Sequence, residues 1–322
     1  MKKSMLTLAV VAASLPTLAM ADATLYGSFR MILEKQDQKS MLLNSDSSRL
    51  GIKGSVDLGL EDTKGIFQWE QELDLNAGAL NSTGGRYAHV GATGSWGTVK
   101  AGKLDHAFQL VNAYTEVLNS DQSRSTLQLR ESTRRQGQSL QYVSPKMSGF
   151  QLTLDSVFKG DTDEKDKQVD VYGMGLAYDA NNIYAALAYT AAKNTKSGGD
   201  YQVDQDAWGA ALGYKIQDLG LRANYLKLDD ETGGSNRLSG PGKATFSSLA
   251  ATYDIGQTQL QLEYGYGKRD LDAGTNQKGQ FTAVGVQQRL GKGRVYAQYH
   301  DFNKELYAST GDKFLVGYRL DF

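Results

Sequence analysis

The chain has 322 residues, with 35 Lys and Arg against 36 Asp and Glu, a formal charge of −1, and no Cys. Near-neutrality excludes the basic footprint of a nucleic-acid binder. The lack of Cys excludes a disulfide framework, a thiolate metal site and a Cys nucleophile.

Met1 to Ala21 reads as a secretory signal, with Lys2 and Lys3 as the positive n-region, an apolar stretch from Met5 to Leu15, and Ala19-Met20-Ala21 as the cleavage site. The mature chain is expected to begin at Asp22, and loss of the two lysines takes its formal charge from −1 to −3. Beyond this segment mean hydropathy is no guide to a helical span. Its overall value is −0.45, and no run of about 18 apolar residues follows, so a helical membrane protein is excluded.

From Asp22 onward, segments of about ten residues alternate apolar and polar side chains between clusters of Gly, Asn, Asp and Ser. Leu50, Ile52, Val56, Leu58 and Leu60 share one face of the segment 48–61, and Arg49, Lys53, Ser55 and Asp57 the other. The segment 65–76 repeats this, with Phe67, Trp69, Leu73 and Leu75 opposed to Gln68, Glu70, Glu72 and Asp74. The predicted strands are 22–34, 48–61, 65–76, 84–93, 96–103, 135–145, 149–159, 169–179, 183–192, 204–217, 219–229, 244–256, 257–267, 279–291, 292–302 and 312–322. That is sixteen, an even number.

Alternation alone does not separate a soluble sandwich from a membrane barrel; the connections do. Brief turns such as Asp179-Ala180-Asn181-Asn182 and Leu290-Gly291-Lys292-Gly293 take turns with polar loops at 193–203, 230–243 and 268–278. Short turns on one rim and long loops on the other are the outer-membrane pattern, and closure pairs every backbone group that lipid would leave unsatisfied. Tyr26, Trp96, Tyr142, Phe150, Tyr178, Tyr184, Tyr214, Tyr253 and Phe322 lie near strand ends, where interfacial aromatic girdles are expected.

The connection from Leu104 to Arg134 is far longer than the rest, and loops of that length are usually functional or disordered. Its apolar residues, Phe108, Leu110, Val111, Tyr114, Val117, Leu118, Leu127 and Leu129, argue for packing against something. Its carboxylates are Asp105, Glu116, Asp121 and Glu131.

These residues carry a family likeness. Ala23-Thr24-Leu25-Tyr26-Gly27, Ser48-Arg49-Leu50-Gly51-Ile52-Lys53-Gly54, Tyr142 to Phe150, Tyr178 to Tyr184 and the terminal Val316 to Phe322, in this order and spacing, resemble the trimeric Gram-negative general diffusion porins with a C-terminal Phe. The resemblance implies an all-β, sixteen-stranded antiparallel barrel over 22–322, with the long third loop folded into the lumen. It also implies a homotrimer in the outer membrane, bordered by lipid and lipopolysaccharide, that passes ions and small hydrophilic solutes without cofactor or chemical step. By the same resemblance Arg49, Arg135 and Lys103 match basic wall positions of the constriction. Arg30 and Lys53 lie on the expected lumen face, Ser28 standing where the family has a basic residue. Glu116, Asp121 and Asp105 would supply the acidic side, and Phe322 the signal read by the assembly machinery.

Catalysis finds no support. His89, His106 and His300 form no H-x-x-x-H or H-E-x-x-H motif, and there is no G-x-S-x-G elbow. The acidic run Asp161, Asp163, Glu164 and Asp166 is interleaved with Lys165 and Lys167 and reads as a solvated loop. A substrate-selective channel and a barrel serving as adhesin, receptor or enzyme remain as rival readings. Ion preference stays open, because Arg30, Arg49, Lys53, Arg135 and Arg319 are balanced by Asp57, Glu70, Glu72, Asp74 and Asp321.

Overall fold

A computed structural model describes residues 22–119, 135–158, 169–197, 201–231, 241–274, 276–302 and 311–322. The expected signal segment, Asp121, and the acidic run at 161–166 lie outside them. The strands are β1 (Asp22–Gln36), β2 (Leu42–Ser45), β3 (Arg49–Leu60), β4 (Thr63–Asp74), β5 (Ala79–Gly94), β6 (Gly97–Leu104), β7 (Gln136–Val143), β8 (Phe150–Val157) and β9 (Val171–Ala180). They continue as β10 (Ile183–Ser197), β11 (Tyr201–Ile216), β12 (Leu219–Asp230), β13 (Gly242–Ile255), β14 (Thr258–Leu271), β15 (Asn276–Leu290), β16 (Gly293–Phe302) and β17 (Lys313–Asp321). One short helix, α1 (Gln109–Asn112), lies in the long connection.

Apart from the break between β2 and β3, consecutive strands pair antiparallel, and β1 pairs with β17, which closes a barrel. β2 and β3 both pair with β1 and form one interrupted stave, so the barrel has sixteen. At the interruption Ser48 accepts from the Arg30 amide at 2.8 Å and donates to the Arg30 carbonyl at 3.0 Å, satisfying backbone groups the break would orphan. Closure at the seam runs through the C-terminus. The Gly27 amide donates to the Phe322 carbonyl at 3.0 Å and the Phe322 amide to the Gly27 carbonyl at 3.2 Å.

Period two sends every second side chain outward. Leu25, Leu33, Ile52, Val90, Leu187, Leu212, Leu249, Val284, Val316 and Leu320 are exposed on that outer face, an inversion of a soluble protein that suits lipid. The turns between β3 and β4, β9 and β10, and β15 and β16 take two residues each. At one of them Asn181 and Asn182 both adopt positive φ, 54° and 64°, which a type I′ hairpin requires.

Four expectations are corrected. Residues 193–203 and 268–278 are mostly strand, because β10, β11, β14 and β15 run well past the apolar stretches that marked them. Tyr26 and Tyr184 do not join an outer girdle. Tyr26 donates to Glu70 at 3.0 Å and Tyr184 to the Leu110 carbonyl at 2.9 Å, so both face the lumen.

Candidate conduction pathway

The long connection enters the barrel. His106 Nδ1 lies 2.6 Å from Asp155 Oδ2 on β8, both side chains fully buried, and Asp155 Oδ1 accepts from the Ala107 amide at 2.6 Å. The loop then tracks along the inner wall. Asn224 on β12 donates to the Val111 carbonyl at 3.0 Å, Gln261 on β14 to the Val117 carbonyl at 2.6 Å, and Asn119 to Gln287 on β15 at 2.8 Å. Thr115 bonds Ser248 on β13.

The wall is shaped to receive the loop. A Cβ placed on Gly175 would meet Leu110, on Gly209 Val111, on Gly213 Tyr114 and on Gly285 Leu118. Four inward glycines thus act as sockets for four loop side chains. Phe108 and Val111 are buried against Ala177, Ala186, Ala188, Ala207, Ala211 and Leu226. Burying each contributes about 1.5–3 kcal/mol. Tyr114 stacks on Tyr184 with centroids 4.0 Å apart, and the Arg222 guanidinium covers it at 5.4 Å. Burial pushes the Tyr114 phenol above its ordinary pKa, the Arg222 charge acting against it.

Helix α1 packs on β10, β11 and β12. In a ring of sixteen staves these lie diametrically across from β1, β3 and β4. On that far side Arg49 reaches Glu70 at 3.8 Å, and Arg86 on β5 donates to the other Glu70 oxygen. Gln68 donates to the Tyr26 hydroxyl at 2.7 Å, and Lys53 lies 5.2 Å from the Tyr26 ring centroid. That ring rests against Gly51, where a Cβ would collide with it. Arg30 donates to Ser28 at 2.8 Å, and Ser28 is in register with Arg49.

The other expected residues divide. Asp105 does not face across the pore: it is held at the loop root by Arg135 at 3.0 Å and by the Tyr87 hydroxyl, with the Arg135 guanidinium 5.0 Å from the Tyr87 centroid. Glu116 is exposed beyond α1. Lys103 is paired with Ala88, on the face opposite that of His89 and Gly102, and so is turned away from the lumen. Alternation itself requires this: Lys103 is three residues from the inward Lys100 and the β5–β6 ladder runs without a shift, so the position matched by resemblance falls on the outward face. Lys100 instead lines a cavity of about 620 Å³ on the turn side of the loop, with Tyr87, His89, Gln109, Tyr114 and Arg222.

Arg86 was not expected at this site. It sits where the β4–β5 register shifts between Glu70 and Gln71, after the Gly84-Gly85 pair, so alternation cannot assign its face. The shifted register, rather than any motif, is the signal that finds it. Among the described residues no group of three or more His, Asp or Glu could hold a metal ion, and no helix is long and apolar enough to cross a membrane, which says nothing of the strands.

Comparison with known proteins gives the same picture. The family model described as "Gram-negative porin" matches residues 7–305. A major outer membrane protein P.IB of Neisseria gonorrhoeae is 30% identical over 58% of this chain and 56% of its own. Its counterpart in Neisseria sicca is 26% identical over 86% of both chains. OmpT of Vibrio cholerae, solved in a trimer form, superposes with a TM-score of 0.74 at 17% identity, covering 94% of this chain and 99% of that one.

Proposed function

We propose, for a chain that belongs to the Gram-negative porin family, that the long loop and the arginine wall together form the constriction of its diffusion channel. That the protein is a non-enzymatic channel of the outer membrane follows from the family and from relatives that are themselves major outer membrane proteins. The constriction is the further step. The observation that carries it is the placement of α1 on β10, β11 and β12, across the lumen from Arg49, Arg86 and Arg30. Charges held on one side of a narrow aqueous slot with low-dielectric walls set a transverse field. Polar solutes align in that field, whereas apolar solutes disturb it to pass.

In this reading Glu116, exposed beyond α1, is the described loop carboxylate that supplies the acidic side, and Asp121 would add to it. Arg135 then serves the loop root rather than the open wall. The channel assembles as a homotrimer, the form in which the Vibrio protein was solved, with lipid and lipopolysaccharide against its outer face. Residues 1–21 are removed as a signal peptide, and Phe322, whose ring meets Phe29 at 5.1 Å, is part of the assembly signal. Amino-terminal sequencing of the mature protein tests the first, and periplasmic accumulation on deletion of Phe322 the second.

Deleting residues 110–119 tests the constriction. The variant is expected to raise single-channel conductance and admit larger sugars in liposome swelling. A variant that inserts with unchanged conductance and size cut-off refutes it.

A further inference from the structure

The registers bring four arginines into one row. Arg30 on β1 pairs with Arg319 on β17, Arg319 with Arg294 on β16, and Arg294 with Arg289 on β15. All four face the lumen, because Phe29, Tyr318, Leu320, Val295 and Leu290 beside them are exposed on the outer face. At its upper end the row meets Arg49 and Arg86, since Arg49 is in register with Ser28, which Arg30 contacts. The row also descends. Arg30 stands eight residues from Asp22, at the turn-rim end of β1, whereas Arg289 and Arg294 each stand two residues from the turn at 291–292. Adjacent strands are ~4.8 Å apart, so three steps cover roughly 14 Å of wall. With strands tilted by about 40°, roughly 9 Å of that runs along the pore axis.

Like charges directly opposite one another on neighbouring strands destabilise a sheet. Here six guanidiniums are interleaved with three contacting carboxylates. Glu70 is shared by Arg49 and Arg86. Asp321 is shared by Arg319 at 2.8 Å and Arg294 at 3.1 Å, and Asp254 meets Arg289 at 3.0 Å. The side chains grow more accessible toward the rim, from 20% at Arg319 through 29% at Arg294 to 40% at Arg289.

We infer that Arg30, Arg319, Arg294 and Arg289 form an anion-binding ramp that joins the mid-barrel arginines to the turn-side mouth and holds small oxyanions carrying two negative charges. A doubly charged oxyanion can accept hydrogen bonds from two neighbouring guanidiniums at once, whereas chloride has a single centre and gains less from the pairing. The inference rests on the reading of the lumen as an open aqueous path, so uptake of neutral sugar is its control.

The experiment uses full-length protein in planar bilayers, with inorganic phosphate at pH 8 added to the turn side of a chloride current. Phosphate is expected to depress the current in the wild type. The Arg289→Gln, Arg294→Gln double variant is expected to need about tenfold more phosphate for the same effect, with neutral-sugar swelling unchanged. Equal phosphate sensitivity of variant and wild type overturns the ramp while leaving the constriction standing. Failure of neutral sugars to enter with the wild type overturns the open-path reading instead. Arg289→Gln alone, at the most exposed position, replaces the double variant if the latter does not insert, and is expected to shift phosphate sensitivity in the same direction by about threefold.

Discussion

The wall made by β1, β3, β4 and β5 presents Arg30, Arg49 and Arg86 to the lumen, whereas the wall made by β9 to β12 presents Gly175, Gly209, Gly213 and several Ala to a loop. Both are inner faces of the same barrel, built with the same period, yet one keeps its charges by the water and the other is covered. Side-chain volume makes the difference. Where the wall has no Cβ, a loop side chain reaches the backbone and excludes water; where it carries guanidiniums, repulsion and hydration keep the space open. The pore is therefore what the loop leaves unfilled beside the charged wall.

The comparison breaks most severely if the loop root is cut. Asp155→Ala removes the carboxylate that faces His106 and accepts from the Ala107 amide. Leaving two buried polar groups without it costs about 1–3 kcal/mol each. Conductance is expected to rise and thermal stability to fall, measured by single-channel recording and by melting of the folded band on a gel. An unchanged melting point would mean that the sockets, not the root, hold the loop.

A smaller effect is expected from Gly213→Val, which fills the space under Tyr114. Overpacking of this kind costs about 1–3 kcal/mol, and a displaced Tyr114 should make the open current noisier. The Tyr114–Tyr184 stack gives a near-ultraviolet circular dichroism signal that should weaken in step.

On the charged wall, Arg49→Ala should alter ion preference with little loss of stability, about 0–1 kcal/mol, because Glu70 keeps Arg86 and Tyr26 as partners. The reversal potential under a salt gradient reads the change. Unaltered potential and conductance together would remove Arg49 from the constriction. Smallest of all, Tyr26→Phe keeps the ring on Gly51 and under Lys53 but loses the bonds to Glu70 and from Gln68, worth about 0.5–1.5 kcal/mol each. Its expected outcome is a slight shift in reversal potential with conductance near that of the wild type.

Sequence alone determined most of the strands, their number and the inward faces of Arg49, Lys53, Glu70 and Arg319, because a pleated strand turns every second side chain the same way and lipid disfavours charge on the other. It also marked the loop at 104–134 by length and apolar content. Tertiary structure decided what parity cannot carry across a break. The register shift beside Gly85 turned Arg86 inward, and the reach of Tyr26 and Tyr184 toward lumenal partners took both from the outer surface. Which glycines receive the loop, and that Arg30, Arg319, Arg294 and Arg289 stand side by side, depend on pairing between strands distant in the chain. Such pairing is set by closure of the whole ring, and no single segment encodes it.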